Sequence, residues 1–313
     1  MLLSHNNLLK GATRVEYLRI LWPYHLAMHL HYLRALVTLA CITGGLLLSA
    51  QPTLNYITDV ATMGMGGAGS GAADHYTYLN PAQLATTSAI SFGAQGGRRY
   101  DIPDLAEVAA YGAFRVGTGR GGVHVRRFGN DLYAETNASL GYGLRLSEKF
   151  SLGATADYYN RTMDMEEGDD ALTFTVGMLL TVNERLQFGT SVFSPAPVDF
   201  GEEEQLSTQV RVGGLYRATP QVQLRADVVQ SAETGITLSA GIGYRPVTRL
   251  ELRVGTDTAY QGFTFGLGYQ LDALGLRGSL PTLDIGAALH PQLGWTTAFG
   301  ISWAMDWSQR RSF

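Results

Sequence analysis

The sequence predicts an all-β protein, a transmembrane antiparallel β-barrel of about 14 strands preceded by a short N-terminal segment. Three observations carry this. Stretches of about ten residues alternate apolar with polar or small side chains from residue 88 to the end. Turn signals separate them at regular spacing. One face of these stretches is nearly free of charge over whole strands. Strict alternation places one set of side chains on each face of a sheet. A barrel in lipid needs an apolar outer face and a closed edge.

The first 50 residues form a separate element. Ala35–Leu48 (ALVTLACITGGLLL) is the most apolar run in the chain, and it is too short to cross a bilayer as a helix. Arg34 precedes it and Ser49-Ala50-Gln51 follows, which is the layout of a signal peptide cleaved after Ala50. Met28 is an alternative start, with MHLHYLR as the basic flank, and a retained signal anchor is the competing reading. Cys41, the only cysteine, lies inside this core, so a processed chain has no disulfide and no thiolate metal site. Cleavage would remove Lys10, Arg14, Arg19, Arg34 and Glu16, leaving 19 basic and 26 acidic residues of the original 23 and 27, a net of −7. That balance argues against nucleic-acid binding, which normally shows a basic face. Lys149 is then the single lysine beside 18 arginines. Arginine suits buried ion pairs in a polar lumen or a lipid A headgroup, although a codon bias yields the same count.

Residues 51–87 do not alternate. They contain MGMGGAGSGAAD (63–74) and YLNPAQL (78–84). No P-loop lysine follows the glycines and no strand–helix unit surrounds them, so a nucleotide loop is not indicated. The run instead suits a tight segment whose backbone touches a wall, through Gly64, Gly66, Gly67 and Gly69. Asn80-Pro81 then makes a turn.

Fourteen alternating stretches follow, near 88–95, 106–117, 121–129, 134–146, 150–161, 171–182, 185–194, 206–217, 221–230, 234–245, 249–257, 263–272, 281–290 and 295–307. In one, Phe150, Leu152, Ala154, Ala156 and Tyr158 oppose Ser151, Gly153, Thr155, Asp157 and Tyr159; in another, Val222, Leu224, Ala226 and Val228 oppose Gln223, Arg225 and Asp227. Short connections (Thr118-Gly119-Arg120, Ser147-Glu148-Lys149, Asn183-Glu184, Ala218-Thr219-Pro220, Arg245-Pro246-Val247) alternate with longer acidic ones near 99–104, 163–170 and 194–205. Bacterial barrels show this alternation of periplasmic turns and external loops. The connection over 272–281 breaks it, being long where a short turn is due. A soluble sandwich is the rival, but its outer face would need many charges. The polar face here carries Arg126, Arg145, Asp157, Arg225, Asp227, Glu251 and Arg253 among many Gly, Ser and Thr, which reads as an ion-pair network inside a lumen. The last stretch places Phe299, Ile301, Trp303 and Trp307 on one face, with Phe313 at the end, resembling the signal read by the barrel-insertion machinery.

The 22 residues from Met63 to Leu84, with Asp74 and the Asn80-Pro81-Ala82 turn before strand one, resemble the N-terminal signature of FadL-like outer-membrane barrels, including the PorV/PorQ group linked to type IX secretion. The resemblance implies a fourteen-stranded barrel in the outer membrane with the N-terminal segment folded inside as a plug or hatch. It implies contact with outer-membrane lipid and lipopolysaccharide, with the insertion machinery, and with secretion-system proteins. Two functions compete: a non-catalytic accessory in an outer-membrane secretion or assembly complex, and a FadL-like passive channel for hydrophobic small molecules. A plain structural barrel is the third. The compact external loops favour the first. A channel would need an apolar pocket lined by Leu54, Tyr56, Ile57 and Met63.

No catalytic constellation or cofactor motif is present. His75, His124 and His290 lack metal-ligand spacing. The acidic run Asp164–Asp170 reads as a solvated loop rather than a cation site.

Overall fold

The computed structural model describes residues 59–73, 78–87, 90–164, 168–201, 204–232, 234–259, 262–271 and 281–305. The expected signal peptide, with its Met28 start and Ala50 cut, lies outside these residues. So do Leu54, Tyr56, Ile57, Asp74, His75, Trp307 and Phe313.

Fourteen strands close into one antiparallel barrel. They are β1 (Ile90–Arg98), β2 (Ala106–Val116), β3 (Gly119–Gly129), β4 (Tyr133–Arg145), β5 (Phe150–Met163), β6 (Asp169–Thr181), β7 (Leu186–Phe193), β10 (Gln209–Arg217), β11 (Val222–Ser231), β12 (Gly235–Val247), β13 (Leu250–Asp257), β14 (Gly262–Gln270), β15 (Thr282–His290) and β16 (Gly294–Met305). A two-residue hairpin, β8 (Val198–Asp199) with β9 (Gln205–Leu206), stands apart in the connection between β7 and β10. β1 pairs with β16 from Ile90↔Met305 to Arg98↔Thr297, so no strand edge is left open. Each predicted stretch coincides with a barrel strand among the described residues.

The two faces separate as the alternation requires. Along β5, Ser151, Thr155, Asp157, Tyr159 and Arg161 are buried, while Leu152, Ala154, Ala156 and Tyr158 are exposed. Leu140 and Leu172 are 67% and 66% exposed, Ile236 64% and Phe263 62%. In a water-soluble protein a contiguous belt of this kind would be an aggregation surface. Around a closed barrel it is the surface that hydrocarbon covers. Polarity is therefore inverted relative to a soluble sandwich: Arg126, Arg225 and Arg253 are buried, and leucine is outside.

Three boundaries differ from the sequence reading. Arg245-Pro246-Val247 belongs to β12, where the register shifts between Tyr244 and Val247; a bulge accommodates the proline that lacks a ladder N–H. The turn follows at 248–249. The stretch 206–217 enters the barrel at Gln209, because Leu206 turns inward and is buried against Tyr159, Ala171 and Phe200. The connections alternate in position but not in length. The rim where β1 begins and β16 ends has turns at 117–118, 146–149, 182–185, 218–221 and 248–249, with the long exception between β14 and β15. The opposite rim has 99–105, 164–168 and 194–208, but also the short 130–132, 232–234, 258–261 and 291–293.

Candidate functional site

The described N-terminal residues lie against the inward face of the wall. Asp59 caps helix α1 (Val60–Met63), accepting from the N–H groups of Ala61 (2.9 Å) and Thr62 (3.2 Å) and from the Thr62 hydroxyl. α1 rests on β15 and β16, with Val60 and Met63 buried beside Ala298. The chain then passes β14 to β12, reaches β11, β10 and β7 at Gly69–Ala73, and ends in a 3-10 turn (Pro81–Thr86) over β3 to β6.

The wall meets this segment with glycine. Gly122, Gly141, Gly153, Gly177, Gly189, Gly213, Gly241, Gly255, Gly266, Gly286 and Gly300 all face inward, and each lies against Leu84, Pro81, Asn80, Ser70, Met65, Gly66, Gly64 or Val60. Eleven of the fourteen strands thus give up a side chain where the segment passes. At Gly189 a Cβ would sit 1.9 Å from the Ser70 carbonyl oxygen. On the segment side Gly66 has φ +70, and a Cβ there would lie 2.3 Å from the Thr256 carbonyl oxygen, so glycine is required on both counts. Gly64 and Gly66 touch the wall, Gly66 and Gly67 take positive φ, and the Gly69 N–H donates to Asp227. The wall glycines were missed as a set. The signal was present: they occupy inward positions of strands that otherwise alternate cleanly.

Side chains fix the register. Asn80 is fully buried; its Oδ1 accepts from the Ala82 N–H (3.0 Å), and its Nδ2 donates to the carbonyls of Ser70 (2.9 Å) and Met178 (2.8 Å). Gln83 Nε2 donates to the Gly69 carbonyl at 2.6 Å. These two amides tie the 3-10 turn, where Pro81 holds the first position, to the glycine-rich run. Asp227 accepts from the N–H groups of Gly69 and Ser70, both 3.1 Å, and faces Arg211 at 3.3 Å. Gly66 N–H donates to Thr264, and the Ser191 hydroxyl donates to the Leu79 carbonyl.

The predicted charge network resolves into separate groups. Arg253 bridges Asp284 (2.5 Å) and Glu251 (2.9 Å), and Arg245 reaches Glu251 at 3.4 Å; these residues, with Arg225 and Asp59, line a polar cavity of about 250 Å³. Arg126 pairs with Glu107 at 3.7 Å on the other side of the lumen. Asp157 is held by the hydroxyls of Thr155 (3.0 Å) and Thr175 (2.8 Å), not by an arginine. Arg145 is exposed at the rim, donating to the carbonyls of Ser147 and Glu148, because its position is the last of β4. Asp284, Glu107 and Arg211 were not anticipated; Asp284 is the single acid of its strand, and Glu107 and Arg211 each share theirs with one arginine near the strand end, Arg115 and Arg217.

At the rim opposite the start of β1, Tyr159, Ala171, Phe200 and Leu206 form an apolar cluster with Phe193 and Val198. Arg161 pins the loop there, pairing with Glu204 (2.5 Å) and Asp169 (2.9 Å) and stacking 4.5 Å over the Phe200 ring. His124 stacks on Tyr78 at 3.9 Å, and His290 Nδ1 accepts from two backbone N–H groups of its turn. No group of three metal-binding side chains occurs among the described residues. Phe299, Ile301 and Trp303 face outward on β16, with Trp303 stacked on Phe92 of β1 across the closing seam at 5.3 Å.

A closed 14-strand antiparallel barrel with an apolar outer belt and an internal segment defines a class, the transmembrane β-barrels. The chain matches no family model and no characterised protein by sequence. Its fold is shared with the Ralstonia pickettii toluene transporter TbuX (TM-score 0.58, 13% identity, 80% of this chain and 98% of that one). It is shared equally with the monoaromatic hydrocarbon channel CymD (0.59, 12%, 82% and 99%) and a Pseudomonas aeruginosa FadL homologue (0.58, 10%, 80% and 98%). These neighbours are transporters and channels rather than enzymes. Nothing in them singles out the PorV/PorQ group.

Proposed function

We propose that this protein is a passive outer-membrane channel for hydrophobic small molecules, with residues 59–87 serving as a hatch. The observation that carries this is a segment seated in the lumen by glycine contacts and discrete hydrogen bonds, within a barrel that matches hydrocarbon channels over nearly their full length. A segment held in this way can shift without breaking the strand ladder. The apolar cluster around Tyr159, Phe193 and Phe200 gives a first contact for a nonpolar solute at the external end. The accessory secretion role implied by the PorV/PorQ resemblance draws no support from the structural neighbours, and the channel displaces it as the main reading.

Uptake by a deletion strain tests the proposal. Entry of toluene-sized aromatics or of fatty acids should fall and recover on complementation. Unchanged entry of both would sink it. Native-membrane pull-down with secretion components in the eluate would restore the accessory reading.

A further inference from the structure

The outward face of the wall is almost free of charge. Among the described residues, the barrel strands carry charge at three outward positions, Arg98, Arg127 and Asp170, and all three lie near the rim opposite the start of β1. Strand alternation fixes their side. Arg127 continues the phase of the exposed Val123 and Val125, and its cross-strand partners are the exposed Val108 of β2 and Thr136 of β4. Arg98 continues the phase of Phe92, Ala94 and Gly96, and pairs with Ala106 of β2 and Thr297 of β16. Their chain neighbours Arg99 and Arg126 turn the other way, onto the buried Glu107.

The two outward arginines stand at the edge of the apolar belt. One cross-strand row over β2 to β6, Ala110, Val125, Ala138, Tyr158 and Leu172, is apolar apart from the Tyr158 hydroxyl. The next row towards the rim, Val108, Arg127, Thr136, Asn160 and Asp170, is polar from β3 onward. Hydrocarbon therefore gives way to the headgroup zone between these rows. Trp295, 43% exposed on the same face at the rim end of β16, suits that depth. Arg98 and Arg127 are two strands and two residues apart, about 12 Å between Cα atoms. Ala106 and Val108 of β2 lie between them on this face, and neither side chain offers a polar atom. Both arginines are exposed, and neither has an ion pair among the described residues. Asp170 is three strands from Arg127, about 14 Å, too far for a salt bridge. The two long stems can bend towards each other over Ala106 and Val108 and meet one acceptor from outside the chain.

We propose that Arg98 and Arg127 clamp the phosphate of an anionic lipid lying against β1 to β3. Guanidinium groups donate to phosphate oxygens in pairs, and the second arginine serves the oxygens that the first leaves unfilled. The exposed Val108 and Val125 then lie along the acyl chain of the same lipid. This assignment rests on the membrane barrel and not on what crosses the lumen.

The test reconstitutes the full protein in nanodiscs of phosphatidylcholine mixed with either phosphatidylglycerol or lipid A and reads retained lipids by native mass spectrometry. The anionic lipid should be preferred by about fivefold for each arginine engaged, less at high salt, and the disc with the larger preference identifies the headgroup. Arg98→Gln/Arg127→Gln should lower that preference by at least about fivefold. Lys149→Gln/Arg185→Gln, an equal loss of charge at the other rim, should keep most of it. Heat-modifiable migration on gels checks that each variant is folded. Equal retention of anionic and zwitterionic lipid by the native protein in both discs, or equal losses in the two double variants, would overturn the assignment. So would removal of the preference by inorganic phosphate at matched concentration, since the site would then take a free oxyanion.

Discussion

Gly189→Ala should displace the internal segment while leaving the wall intact. The added Cβ would lie 1.9 Å from the Ser70 carbonyl oxygen and 2.8 Å from Asn80 Nδ2. A carbon–oxygen contact needs about 3.3 Å, so something must move by more than an ångström. Gly189 is held on both sides, opposite Leu179 and Gly213, by ladder bonds of β6 and β10. The segment is held here by fewer bonds: Asn80 to the Ser70 carbonyl at 2.9 Å, Ser191 to the Leu79 carbonyl at 2.5 Å, and Gly69 and Ser70 to Asp227 at 3.1 Å. The segment therefore yields. Overpacking costs about 1–3 kcal/mol, and two or three lost hydrogen bonds add about 1 kcal/mol each. A total of about 3–6 kcal/mol changes the ratio of seated to displaced segment by more than about a hundredfold. In planar bilayers the variant should conduct small ions that the native protein blocks. Gly112→Ala is the control, because its Cβ would meet nothing closer than 3.5 Å. Native conductance in the Gly189 variant, together with native protease resistance of residues 59–87, would refute the reasoning.

Asp227→Ala leaves two segment N–H groups and Arg211 without their shared acceptor. It should weaken seating by about 3–5 kcal/mol, read as faster proteolysis of the segment, with Asp227→Asn milder. Arg161→Ala should speed cleavage within 194–208 while hardly moving the urea midpoint, since its partners Asp169 and Glu204 are 24% and 43% exposed and such pairs are individually weak. Leu140→Arg, on the lipid face of β4, should cost about 2–4 kcal/mol on unfolding from vesicles; a neutral result would mean that this face does not meet hydrocarbon. Arg253→Met removes the cation shared by Asp284 and Glu251, and should lower the urea midpoint by more than Arg245→Met does, because Arg245 is half exposed.

The sequence by itself determined the barrel. Alternation over Phe150–Tyr159 or Val222–Val228 has one solution in lipid, because each strand must turn its apolar set outward and bond its backbone to neighbours on both sides. Strand number and direction followed from the turns. The glycine-rich run and Asn80-Pro81 were visible as a segment that needs close contact. Partners distant in sequence were not visible. Local pattern fixes which face a residue takes, but not its height on the wall or what reaches it from across the lumen. Only the tertiary structure set Gly189 beneath Ser70 and Gly153 beneath Pro81, gave Asp227 to the segment rather than to Arg225, and left Arg145 at the rim. Those pairings depend on strand stagger and on the path of the segment, and both are settled by packing summed over the whole closed ring.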